Sequence, residues 1–158
     1  MDLFLTDQEI HVLIAEEKRT NILLKELWNL KVKGVHKEND LAIPREDGSQ
    51  FKIILRQNSI NVLDFSVILA YTPKGSNQDF KLCRYNGKSH QHSNKIEEQS
   101  MYDFHTHRAT ERYQRAGMKE ESFAEVTNRY SDIKTAFACM VSDCNIVFEN
   151  ENQLDLDF

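Results

Sequence analysis

Two stretches of this chain alternate apolar and polar residues with a period of two: Phe51, Ile53 and Leu55, then Leu63, Phe65, Val67, Leu69 and Tyr71. Only an extended strand places every second side chain on one face, so the pattern excludes helix here and requires a sheet with one buried side. Asn58 to Asn61 can turn the chain between the runs, and matching their apolar sets pairs Leu55 with Leu63 and Phe51 with Val67. Pro73-Lys74-Gly75-Ser76-Asn77 is a second turn signal, after which Phe80 and Leu82 resume the alternation. Short turns join neighbouring antiparallel strands, whereas parallel strands need long crossovers, so an antiparallel meander is the simplest topology.

Helical patterns flank this region. Thr6-Asp7-Gln8-Glu9 carries a capping-box pattern, and Ile10, Leu13, Ile14, Ile22, Leu23, Leu27 and Leu30 suit one apolar stripe. The spacing predicts helix over residues 7–32 of a helical N-terminal segment, 1–35, with Arg19-Thr20-Asn21 as the place where it could break in two. Gly34 is the stop, and 36–50, with Pro44 and Asp47-Gly48, reads as a loop or weak edge hairpin. Residues 109–130 read as an exit loop with some helix. Ser131-Asp132 then caps a helix over 131–140 whose stripe is Ile133, Ala136, Phe137 and Met140, and Asn145-Ile146-Val147-Phe148 adds a short strand. The expectation is one α+β domain, 1–158: an antiparallel β-meander within 51–108, packed against an N-terminal and a C-terminal helix, with an acidic tail at 149–158.

Composition narrows the class of protein. At 158 residues with 40% hydrophobic content the chain can bury one core, and 5 Gly and 2 Pro leave no room for long linkers. No apolar run approaches the roughly 20 residues of a membrane span, and the start lacks a basic, cleavable leader, so a cytoplasmic protein without membrane contact is expected. Cys83, Cys139 and Cys144 are odd in number and lack Cys-x-x-Cys spacing, which points to reduced thiols rather than a disulfide framework. A net charge of -5 offers no electrostatic reason for tight duplex binding, but the segment 81–115 carries seven Lys or Arg against four acids.

Chemistry concentrates in that basic segment. His90-Gln91-His92 and His105-Thr106-His107 hold four of the six histidines at i, i+2 spacing, which on a strand aims both rings of a pair the same way. Continuing the face of Phe80 and Leu82 gives Arg84, Asn86, Lys88, His90 and His92, so the core side is expected to turn polar. A hairpin closed near 94–100 would set His90 opposite His105, His92 opposite Asp103 and Lys88 opposite His107.

Three uses fit such a cluster. Histidine is found both protonated and neutral near pH 7, so one ring from each pair could act as base and acid in metal-independent cleavage of a phosphodiester through its own 2′-hydroxyl. Candidate catalytic residues are then His90, His92, His105, His107 and Arg112, with Arg84, Asn86, Lys88 and Tyr113 binding substrate and Tyr113 as reserve proton donor. The substrate class is RNA or a small cyclic nucleotide, and no cofactor is required. Alternatively the imidazoles ligate zinc, nickel or iron, with Asp103 as a further ligand or as a hydrogen-bond acceptor for one. In the third use the same groups bind without catalysis, Tyr85, Tyr102 and Tyr113 stacking on bases. The blandest alternative is a solvated ladder with His92–Asp103 and Lys88–Glu111 as ordinary surface pairs. Trp28 reads as a core anchor, and His11 and His36 as surface residues.

The string Arg84-Tyr85-Asn86-Gly87-Lys88-Ser89-His90-Gln91-His92-Ser93-Asn94, followed by Tyr102-Asp103-Phe104-His105-Thr106-His107-Arg108-Ala109-Thr110-Glu111-Arg112-Tyr113-Gln114, resembles an uncharacterised prokaryotic family, a domain of unknown function. The likeness continues through Asn128-Arg129-Tyr130-Ser131-Asp132 to Asp143-Cys144-Asn145 and covers roughly the C-terminal half. The resemblance implies a small bacterial or phage-encoded accessory protein with a toxin-like or host-defence-related role, and the competing reading of function is a non-catalytic phage or mobile-element anti-defence protein that binds a host defence or antitoxin protein or sequesters a nucleotide.

Overall fold

The structure, a computed structural model, describes residues 3–151. In chain order the elements are α1 (Asp7–Ala15), β1 (Lys18–Thr20), α2 (Leu24–Leu27), β2 (Lys31–Lys33), β3 (His36–Pro44), β4 (Gln50–Asn58), β5 (Phe65–Thr72) and β6 (Phe80–Asn86). There follow β7 (His92–Asn94), β8 (Gln99–Met101), β9 (His105–Arg108), α3 (Glu111–Arg115), β10 (Phe123–Val126), α4 (Ile133–Asp143) and β11 (Ile146–Phe148). Seven strands form one antiparallel sheet in the order β10-β9-β6-β5-β4-β3-β2, so the fold is α+β with a β-meander. No helix among the described residues is long and apolar enough to cross a membrane.

One face of the sheet is the core. Phe51, Ile53 and Leu55 on β4 stand beside Val67 and Leu69 on β5 and pack with Ile10, Leu13 and Ile14 of α1 and with Ile133, Ala136, Phe137 and Met140 of α4. Both expected capping devices form: Thr6 with Glu9 at α1, and Asp132 with Thr135 at α4. The expected apolar stripe of α4 is buried, and the helix runs on to Asp143.

Several expectations need correction. Helix over 7–32 breaks after Ala15, because Lys18 turns inward, 1% exposed, and its ammonium donates to the carbonyls of Ile14 (2.8 Å), Glu16 (2.7 Å) and Cys144 (2.8 Å). These bonds satisfy carbonyls near the end of α1 that have no helical partner and start β1, which pairs in parallel with β11. Burial lowers the Lys18 pKa to about 8. Of the two readings of 36–50 the loop fails and the hairpin stands: 36–44 form β3, a nine-residue strand between β2 and β4, and only 45–49 turn. The β4–β5 register is Leu55 with Val67 and Phe51 with Tyr71, displaced by four residues from the expected pairing. Asn58 causes this, since its side chain accepts from Ile60 N and Asn61 N (both 2.9 Å) and its own N–H donates to Asp64 O, making the loop longer than a tight turn. An even displacement leaves the same residues facing the core. The exit region contains α3, as expected, and also β10, which was not. Of the acidic tail, residues 152–158 lie outside the described residues.

A bulge in β6 governs everything beyond it. Leu69 pairs with Cys83 and Ala70 with Lys81, which leaves Leu82 as an extra residue. The core face of β6 therefore runs Phe80, Leu82, then Cys83 and Tyr85, while Arg84 and Asn86 turn to the opposite face. The core side does not itself become polar, as the unbroken alternation suggested. Tyr85 is held inward by donating to Asp143 (2.5 Å), whose carboxylate also accepts two bonds from Arg129 (both 2.8 Å). Gly87 ends the strand where a Cβ would lie 1.8 Å from Leu63 O, so no other residue fits without moving backbone.

Replacing Lys18 by Met leaves buried carbonyls unpaired, and urea unfolding is expected to show a loss of about 3 kcal/mol. Burial alone would raise the Asp143 pKa, but the bonds from Arg129 and Tyr85 outweigh it and hold the group below its ordinary value. That contribution is present above the unfolded-state pKa near 4 and is lost as pH falls through the lower folded value. The stability gap between the wild type and Arg129→Met, followed by acid titration of thermal unfolding, should accordingly shrink below about pH 4.

Candidate metal centre

β9 lies between β6 and β10, and its Arg84↔His107 and Asn86↔His105 pairings put both histidines on the face opposite the helices. The expected hairpin register is not formed. After Gly87 the chain leaves the sheet, and His92 belongs to a separate two-stranded hairpin, β7–β8, where it faces Met101. Asn94 fastens this hairpin to the free edge of β10: its amide donates to Ala124 O (2.7 Å) and accepts from Ala124 N (2.9 Å). His92 thereby reaches the β9 pair from above. Its ring stacks on His105 (centroids 5.4 Å apart, 13° between planes) and meets His107 edge-on at 4.6 Å.

Each of the three rings is committed by one nitrogen to a fixed oxygen. His105 Nδ1 donates to Asp103 O and His107 Nδ1 to Glu121 O, both at 2.7 Å. Because Asn94 spends its NH2 on Ala124 O, its Oδ1 faces His92 Nε2 at 3.0 Å, and that nitrogen must carry the proton. The lone pairs left over belong to Nε2 of His105, Nε2 of His107 and Nδ1 of His92. One nitrogen from each ring lies within 4.8 Å of the others. His105 Nε2 is buried with no hydrogen-bond partner. Burial lowers the pKa of His105 and carries His107 down to about 3, with His92 and Arg84 adding to both shifts, so these rings are neutral at physiological pH, the form that ligates metal.

A cation and an acid border the imidazoles. Arg84, the cross-strand neighbour of His107, has a terminal nitrogen 3.5 Å from Glu121 Oε2. Glu121 is 5% exposed, and burial raises its pKa. Its main chain orients His107 while its side chain attends Arg84.

The other candidates fall elsewhere. His90 is exposed and bonded to Ser89, and Lys88 lies over Phe104, 5.1 Å from the ring centre. Asn86 accepts from Ser66. Arg112 is paired through Nε with Glu97 (2.7 Å), and Tyr113 is fully buried and donates to the same carboxylate (2.7 Å), so the Tyr113 hydroxyl proton is already committed. Tyr85 is core, whereas Tyr102 is 63% exposed. Asp103 contributes its carbonyl, not its carboxylate, and neither expected surface pair forms: His92 bonds Asn94, and Glu111 pairs with Arg115. Asn94 and Glu121 were missed by the sequence reading. The i, i+2 relation of His92 and Asn94 on one strand was a usable sign of the first, and Glu121 had none.

Comparison with protein-family models, with curated proteins and with solved structures returns no match to this chain. The centre is therefore read from its own chemistry. Asn94→Ala removes both bonds to the β10 edge and is expected to cost about 2 kcal/mol in urea unfolding, with faster hydrogen exchange at Ala124 N as its local signature.

Proposed function

We propose that this protein is a metal-dependent hydrolase whose centre is His92, His105 and His107. The observation that carries this reading is the buried, partnerless Nε2 of His105, set beside two further imidazoles. Leaving a buried ring nitrogen unpaired costs on the order of 1–3 kcal/mol, and a divalent ion offsets that cost directly. Around such an ion, ligand nitrogens at roughly 2.0–2.1 Å stand about 3.4 Å apart, which small ring rotations reach from the present spacing. Asp103 O, Glu121 O and the Asn94 amide act as the oxygen acceptors that fix tautomer and ring plane in metal-bound histidines.

Three protein ligands are the complement of catalytic rather than structural sites, because a fourth position stays open to water or substrate. An ion there lowers the pKa of bound water toward ~7 and so supplies a nucleophile at neutral pH. What the chain contributes is three imidazole ligands, His105 and His107 among them buried, and Arg84 to one side. Acid–base catalysis without metal draws less support. It needs one imidazole holding a proton to give, and His105 and His107 are both pushed toward the neutral form. His90, the ring outside the group of three, is turned to solvent.

Elemental analysis after loading with zinc should find one ion per chain, and cobalt substitution should add visible absorption typical of a four- or five-coordinate site. His105→Ala should lose both, and hydrolysis of labelled RNA and a cyclic-nucleotide panel should stop in EDTA and return with zinc. Wild-type protein that takes up no ion would defeat the proposal, as would chelator-resistant cleavage. Ion uptake with nucleotide binding but no turnover would make the centre a binding site instead.

A further inference from the structure

Three buried polar atoms without hydrogen-bond partners lie along one contiguous patch: His105 Nε2, Arg84 Nε and Glu121 Oε2. The first belongs to the ligand set. The other two adjoin it, since Arg84 faces His107 across the β6–β9 ladder and Glu121 holds His107 Nδ1 through its main chain. At 3.5 Å the Arg84–Glu121 contact is too long for a firm hydrogen bond, so the pair orients the guanidinium without saturating it. Among cationic side chains it is arginine, a planar fork of donors, that suits a two-point grip on an oxyanion.

We propose that the centre takes a phosphate oxyanion, one oxygen on the ion and another on Arg84, so that its substrates are phosphate esters. This inference rests on the metal reading above and names the substrate class of that same site. Charge supports it. A divalent ion on three uncharged imidazoles, together with Arg84 beside Glu121, leaves a surplus of at least about two positive charges. A phosphate group is the common metabolite fragment that meets such a surplus with several acceptor oxygens at once. The rim extends the fit to nucleotides. Lys88 and His90 are exposed on the loop after Gly87, and Tyr102, its ring open to solvent, donates to Ser89 O of that loop (3.3 Å). An exposed aromatic ring beside a lysine is a platform on which a base can stack.

Chloride has a single acceptor atom and cannot reach the ion and Arg84 together, so it should compete poorly while phosphate and phosphodiesters bind. Arg84 is an anchor for the ligand and not a ligand of the ion, which separates the two proposals experimentally.

The test is calorimetric titration of zinc-loaded protein with inorganic phosphate and, separately, with the dinucleotide UpA, using sodium acetate for comparison. Both phosphate compounds are expected to bind. Arg84→Gln should keep one zinc per chain and the wild-type circular dichroism while its phosphate affinity falls at least tenfold, and Arg84→Lys should lie between. Tighter binding of UpA than of phosphate, reduced by Tyr102→Ala with phosphate unaffected, would identify a nucleotide rather than the free ion as the ligand. Zinc-loaded wild type that ignores phosphate overturns the oxyanion site and leaves the metal centre standing, as does equal phosphate binding in Arg84→Gln. Failure of the wild type to take zinc overturns both.

Discussion

One extra residue in β6 decides what the rest of the molecule can present. Without the bulge at Leu82, the alternation of β6 would carry Arg84 and Asn86 into the core beneath α4 and send Cys83 and Tyr85 to the other side. With it, the apolar face stays continuous and the polar residues appear beside His105 and His107. A bulge is a standard way for a sheet to re-aim side chains next to a functional site, and here it costs little because Leu82 remains buried. The tie from Tyr85 to Asp143 and Arg129 holds the strand in that setting from the helical side.

The same economy shows in how the imidazoles are held. Two come from one short strand, where i, i+2 spacing sets them on the same face of the sheet. The third arrives on a hairpin outside the main sheet, a placement that would be loose if the hairpin rested on its own three-residue strands. Asn94 removes that freedom by borrowing the hydrogen-bonding edge of β10, and the same amide oxygen fixes the His92 tautomer. One side chain thus couples the position of a ring to the choice of which nitrogen is left bare.

Burial then works in two directions. For His105 and His107 it suppresses the charged form, which favours a ligand role. For Glu121 it raises the carboxyl pKa, countered by Arg84, so the acid and the guanidinium balance one another at the edge of the centre. Lys18, on the core side, is the contrasting case: a buried ammonium whose three carbonyl partners leave it nothing further to bind, and whose role is to end α1 and join it to α4. A buried titratable group with its bonds filled is architecture, while one with a bare nitrogen invites a ligand.

What the sequence determined by itself is what depends on short-range periodicity. The α+β class, the antiparallel meander, the capping box at Thr6, the cap at Asp132, the stripe of α4 and the common aim of His105 and His107 follow from local sterics and alternation, which act over a few residues. Tertiary structure decided the rest. Lys18 ended a helix because the nearby carbonyls of Ile14 and Glu16 and the distant carbonyl of Cys144 converge on it. The β4–β5 register followed side-chain bonds within a loop, and the bulge at Leu82 inverted a face that alternation alone could not have inverted. His90 was exchanged for a site built from His92, Asn94 and Glu121, since a hairpin that leaves the sheet obeys the edge it docks on rather than the strand it follows. Apart from the Asn58 loop, whose bonds are local, such choices depend on contacts between residues far apart in the chain.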